Sequence, residues 1–159
     1  MALTKVSYSM IKGAPFNVLD YASLAQVVTA KDPSNPASHL FTTFLSWKLP
    51  IQAALDACYA GGGAVVLPKN TVPYYIDDTI FVKDNTTFTC EDFIILADYT
   101  SVGGAFGANG INIVINNLQL DCSNIFAGGS GENGIGAGAG ASGIGKNITF
   151  NGGVVKNCA

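Results

Sequence analysis

Acidic side chains are the first candidates for chemistry in this sequence. Glu91, Asp92, Asp98, Asp121 and Glu132 all lie in the second half of a 159-residue chain. Hydrolysis of a glycosidic bond needs two carboxylates flanking it, one protonated and one ionised. The spacing of these five brings no two of them together, and Glu91-Asp92 reads as a solvated turn. His39 is the single histidine, and no partner motif for acid–base work surrounds it. Cys58, Cys90, Cys122 and Cys158 are spread without a C-x-x-C pair. They are expected as small buried hydrophobes, not as zinc ligands or a disulfide framework. Two G-x-G-x-x-G strings, residues 129–134 and 138–143, would suit a dinucleotide only between a strand and a helix. Lysine and a strand follow instead, which predicts an external glycine-rich loop. The sequence therefore assigns no catalytic residue, no cofactor-binding residue and no metal ligand.

Composition narrows the partners. The chain has eight basic residues, all lysine, and a net charge of −3, so it lacks the basic patch that nucleic acid requires. Apolar residues make up 48% and charged residues 12%, about half the usual charged share. Such a balance suits strands with long buried faces. No apolar run approaches the length of a membrane span. Residues 1–8 alternate polar and apolar and do not build a signal-peptide core, so the chain is not expected to be secreted through its own N-terminus. The sequons at Asn85 and Asn147 are then chance matches.

The elements that would position any site begin in residues 50–82. Pro50 suits the first turn of a helix. Ile51, Ala54, Leu55 and Cys58 follow on one helical face. Gly61, Gly62 and Gly63 stop the helix. Val65-Val66-Leu67-Pro68 reads as an apolar strand closed by proline, and Ile76, Ile80 and Val82 continue in strand.

A repeat then emerges. Phe88 and Cys90 alternate, followed by Phe93 and Ile95. Ile113 and Ile115, then Leu118 and Leu120, show the same offsets, and Ile148, Phe150, Gly153 and Val155 make a third copy. Period-2 alternation puts each pair on one face of a strand. The dipeptides Glu91-Asp92, Asn116-Asn117 and Asn151-Gly152 are expected at the bends. Phe88, Ile95, Ile113, Ile115, Leu118, Leu120 and Ile148 are predicted to point inward. This reading aligns Phe88 with Ile113 and Ile113 with Ile148. The longer second interval falls in the glycine-rich residues 127–145, where an external loop costs little entropy. Units that cannot bury their own apolar faces must stack on neighbours. The last strand stops near Ala159 without a cap. The expectation is an N-terminal part of a longer protein, or an edge covered by something else.

Three motifs carry a resemblance: Ile51-Gln52-Ala53-Ala54, the Gly61 to Pro68 strand, and Tyr74-Tyr75-Ile76. Together they resemble the start of the pectate-lyase-like right-handed parallel β-helix family, which includes pectate lyases, polygalacturonases and many bacteriophage tailspikes. Asn17-Val18-Leu19-Asp20-Tyr21 is similar to a motif opening many such proteins, although Ala22-Ser23 replaces the usual Gly-Ala. Residues 1–21 as a whole look like the first residues of phage tail fibre and tailspike proteins. The resemblance implies an all-β fold: a right-handed parallel β-helix with a short capping helix and an extended N-terminal anchor. It implies three parts, a virion-anchor segment at 1–21, an irregular insertion at 22–49, and the helix with the first coils at 50–159, continuing beyond. The implied function is a structural virion protein of the phage tail, assembled in the host cytoplasm. It would be a homotrimer, docked on a tail, baseplate or adaptor protein through its N-terminus. Host surface polysaccharide would bind to regions beyond this segment. The alternative is a polysaccharide depolymerase, hydrolase or lyase, with its active site on later coils. Lyases of this family often use arginine as the proton acceptor, and this chain has none.

Overall fold

The computed structural model describes residues 14–31, 41–96, 105–108, 110–121, 135–136 and 146–156. Strands dominate. In chain order they are β1 (Phe16–Asn17), β2 (Gln26–Lys31), β3 (Phe41–Ser46), β4 (Gly63–Leu67), β5 (Tyr74–Ile76), β6 (Ile80–Val82) and β7 (Thr86–Cys90). There follow β8 (Ile94–Leu96), β9 (Phe106–Ala108), β10 (Ile111–Asp121), β11 (Ile135–Gly136) and β12 (Lys146–Lys156). A 3-10 helix covers Val18–Leu24, and an α-helix, α1, covers Lys48–Tyr59.

Nearly every strand pairing is parallel. A nine-stranded sheet runs β1-β4-β7-β10-β8-β5-β3-β2, with β12 also on β10, and a second sheet runs β11-β9-β6. Among the described residues only β2 and β3 pair antiparallel. The long strand β10 joins two ladders: its first part pairs β7 and its last residues pair β8.

Register explains the core. Val65 pairs Phe88, which pairs Ile115. Tyr74 pairs Ile94, which pairs Leu120, and Ile80 pairs Phe106. All of these side chains are buried, so inward positions stack on inward positions in each ladder. Alternation places their neighbours outside.

α1 forms where the sequence places an apolar stripe, starting two residues before Pro50. Ile51, Ala54, Leu55 and Cys58 are fully buried, and the helix packs against β1, β4, β6 and β7. Past its end, Gly62 adopts φ +67°, a left-handed conformation that costs glycine little. The Gln52 side chain then acts as a short stand-in for a strand. Its Oε1 accepts from Phe81 N at 2.9 Å and its Nε2 donates to Phe81 O at 3.1 Å, satisfying backbone groups on β6. No helix among the described residues is long and apolar enough to cross a membrane.

Two expectations of register are corrected. Phe88 pairs Ile115, not Ile113. The position level with Ile113 is Thr86, a buried hydroxyl donating to Asp84 O at 3.2 Å. A threonine there hides the first inward slot from an apolar count. Ile95 is only half-buried, while Ile94 and Leu96 are buried. The bend at Glu91-Asp92-Phe93 holds one residue more than the bend at Asn116-Asn117, and a one-residue shift exchanges the two faces of a strand. Ile113, Ile115, Leu118 and Leu120 are buried as predicted, and Ile148 packs half-buried against the core. The third copy aligns as read, with Ile113 on Ile148 and Leu120 on Val155.

Candidate functional site

Asparagines organise the entries to the parallel strands β7, β10 and β12. Asn85, Asn112 and Asn147 stand at φ 55°, 56° and 56°, in the left-handed region that asparagine tolerates better than most residues. Each precedes an inward-facing pair on its strand. Asn112 Nδ2 donates to Asn85 Oδ1 at 3.0 Å, and Asn147 Nδ2 donates to Asn112 Oδ1 at 3.0 Å. A second line lies four residues on. Asn151 Nδ2 donates to Asn116 Oδ1 at 3.0 Å, and Asn116 Nδ2 donates to Thr89 Oγ1 at 3.3 Å. At the next bend Asn117, at φ 51°, donates to Cys90 O at 2.9 Å. Among the described residues both lines run across β7, β10 and β12.

The strand β12 is the exposed end of this arrangement. Among the described residues it pairs only with β10. Phe150 and Val155 hold the inward register of Ile115 and Leu120, yet they are 40% and 44% exposed.

The carboxylates singled out in the sequence serve as local supports. Asp92 accepts from Asn70 N at 3.0 Å and Phe93 N at 2.8 Å, fixing the corner between β7 and β8. Asp121 pairs with Lys156 Nζ at 3.0 Å, and the same ammonium lies 4.5 Å from the Phe93 ring centroid. Glu91 is exposed beside a groove of about 320 Å³ lined by Pro15, Asn17, Val66 and Pro68. Asp98, Glu132, His39, Cys122, Cys158, the two glycine strings and residues 1–13 lie outside the described residues. Cys58 and Cys90 are buried free thiols. Burial pushes Cys90 up to about 12, with one backbone hydrogen bond opposing, so it is not a ready nucleophile.

Sequence reading missed a polar lock between β3, α1 and the β5–β6 corner. Ser46 Oγ donates to Asp77 Oδ1 at 2.5 Å, and Lys48 Nζ meets Asp78 Oδ2 at 3.0 Å. These groups border a cavity of about 140 Å³. Burial raises the Asp78 carboxyl, but hydrogen bonds from Lys48 and Thr79 outweigh it and leave the group below its ordinary value. Asp56 behaves alike: burial raises it, and Lys83 and Gln52 bring it down further. The Asp77-Asp78 dipeptide was the available signal. Asn85, Asn112 and Asn147 were missed too, although each stands one residue before the strand pattern.

Comparison with known protein families, curated proteins and solved structures gives no match.

Proposed function

We propose that the chain is the N-terminal part of a bacteriophage tailspike or tail fibre, whose strands are the first coils of a right-handed parallel β-helix capped by α1. The supporting observation is the register. Corner asparagines 27 and 35 residues apart stack one on another while the strands after them pair in parallel. A repeat of uneven length that still stacks is what a solenoid with outward loops does. The phage part of the reading rests on the resemblance of residues 1–21. In this reading those residues dock on a tail or adaptor protein, the coils assemble as a homotrimer, and later coils bind host polysaccharide. The role of this segment is structural, and the protein's place is the virion.

Deletion of residues 1–13, which spares β1 and the buried Val18, tests the role. Supplied during infection, the shortened protein is expected to stay trimeric by sedimentation and to be missing from purified tails. Shortened protein still present in tails, or a monomeric full chain, would overturn the proposal.

A further inference from the structure

Two aromatic rings border one groove on the outside of the fold, where α1 meets β6. Tyr59, the last residue of α1, is 49% exposed, and Phe81, the outward residue of β6, is 43% exposed. With Lys83 and Asp84 they line a volume of about 360 Å³, within the range of small-molecule sites. The fold fixes this lining in advance. Positions 52, 56 and 59 share one face of α1. From that face Gln52 holds both backbone groups of Phe81. Asp56 Oδ1 meets Lys83 Nζ at 2.8 Å, and the same ammonium lies 5.4 Å from the Tyr59 ring centroid. Asp84 Oδ1 accepts from Ile111 N at 2.9 Å. Groups held in place before a ligand arrives lose little freedom when it binds.

These contacts also select the ligand. An organic cation is drawn to aromatic rings, but here Lys83 already sits over Tyr59 and repels it. A phosphate or carboxylate meets Asp56 and Asp84 against the single ammonium of Lys83. An extended peptide needs free backbone groups on a strand edge, and Gln52 occupies those of Phe81. An uncharged saccharide meets none of these obstacles. Its C–H faces pack on the negative faces of aromatic rings. Its hydroxyls both donate and accept, so they suit a carboxylate and an ammonium standing side by side. We infer that the groove between Tyr59 and Phe81 is a binding site for an uncharged saccharide chain. Sugar rings pack on Phe81 and Tyr59, while hydroxyls donate to Asp84 and accept from Lys83. The site lies on this segment itself, apart from any polysaccharide held by later coils. It stands on the join of α1 and β6 and uses neither the coil reading nor the phage reading.

The test titrates isotopically labelled full-length protein with maltohexaose, cellohexaose and mannohexaose, and separately with tetramethylammonium and inorganic phosphate. At millimolar concentration at least one hexasaccharide is expected to shift the NMR signals of Tyr59, Phe81, Lys83 and Asp84 and to spare those of Phe88 and Ile115 in the core. Tyr59→Ala and Phe81→Ala should each weaken that binding about tenfold, the effect of losing one packed ring. Tyr59→Phe keeps the ring and should bind as the parent does. Both positions are half exposed, so urea midpoints should stay where they are. No shift with any of the three sugars, undiminished binding by both alanine variants, or shifts confined to another face would each overturn the inference. Tighter binding of tetramethylammonium or phosphate than of any sugar would overturn it too, and would assign the groove to an ion. Protein lacking residues 1–13 should bind the sugar unchanged. Failure to enter tails and failure to bind sugar are therefore separate results.

Discussion

Truncating Phe88 to alanine is expected to lower the unfolding free energy by about 3–5 kcal/mol, the range for a buried phenylalanine that leaves a cavity. Phe88 is fully buried, stacked on Phe106 with ring centroids 5.6 Å apart, and paired on both sides with inward residues Val65 and Ile115. Buried residues of β4 and β10 flank it on both sides, so the surroundings cannot collapse onto the gap without shifting a ladder. A sharper form of the same expectation compares two neighbours. Ile94→Ala should cost about 2–5 kcal/mol, because Ile94 is buried between Tyr74 and Leu120. Ile95→Ala should cost about 1 kcal/mol or less, as expected for a side chain outside the core. Urea unfolding midpoints at constant slope measure both. Equal losses at the two positions would show that the bend before β8 is misplaced.

That pair of positions shows where the sequence is legible and where it is not. The buried face of α1 follows from helical spacing alone, because Ile51, Ala54, Leu55 and Cys58 have no other common face. The third repeat aligns as read because Ile113 and Ile148 both fill the first inward slot. The first repeat slips because Thr86 fills that slot, and a threonine satisfied by Asp84 O looks polar on paper. Ile95 goes wrong because Phe93, though apolar, belongs to the bend. The hairpin of β2 and β3 was hidden in a stretch read as irregular, since its strands have no apolar alternation. The asparagine lines were invisible for a different reason. An asparagine before a strand signals a turn in any protein, and only stacking of successive coils turns that residue into a hydrogen-bonded column. The carboxylates stood out in the sequence for their chemistry, yet the structure uses Asp92 and Asp121 as supports.

Gly153→Ala is the second large effect expected. Gly153 has φ +123°, a conformation that side chains rarely adopt. A methyl group there would overlap the Leu118 carbonyl oxygen and approach Leu118 N to 2.8 Å. Leu118 is the residue of β10 paired with Gly153, so relief requires β12 to move off β10. Backbone strain and overpacking together amount to about 3 kcal/mol. The loss should appear as fast hydrogen exchange in β12, with β4 and β7 unchanged. Gly152→Asn is the control. Gly152 lies at φ +68° with open space where a side chain would go, and it is level with Asn117, itself left-handed at φ 51°. Asparagine there should cost less than about 1 kcal/mol. Similar losses from both substitutions would mean that the bend in β12 does not repeat the bend in β10.

The central claim is that successive coils stack in parallel in the stated register. Through-space NMR contacts between backbone groups of isotopically labelled protein measure it most directly, because paired strands lie about 4.8 Å apart and next-nearest strands about twice that. The account predicts contacts linking Val65 to Phe88, Phe88 to Ile115, and Ile115 to Phe150, with none linking Val65 to Ile115. Contacts of Phe88 with Ile113 in place of Ile115, or an antiparallel pattern among β4, β7 and β10, would contradict it.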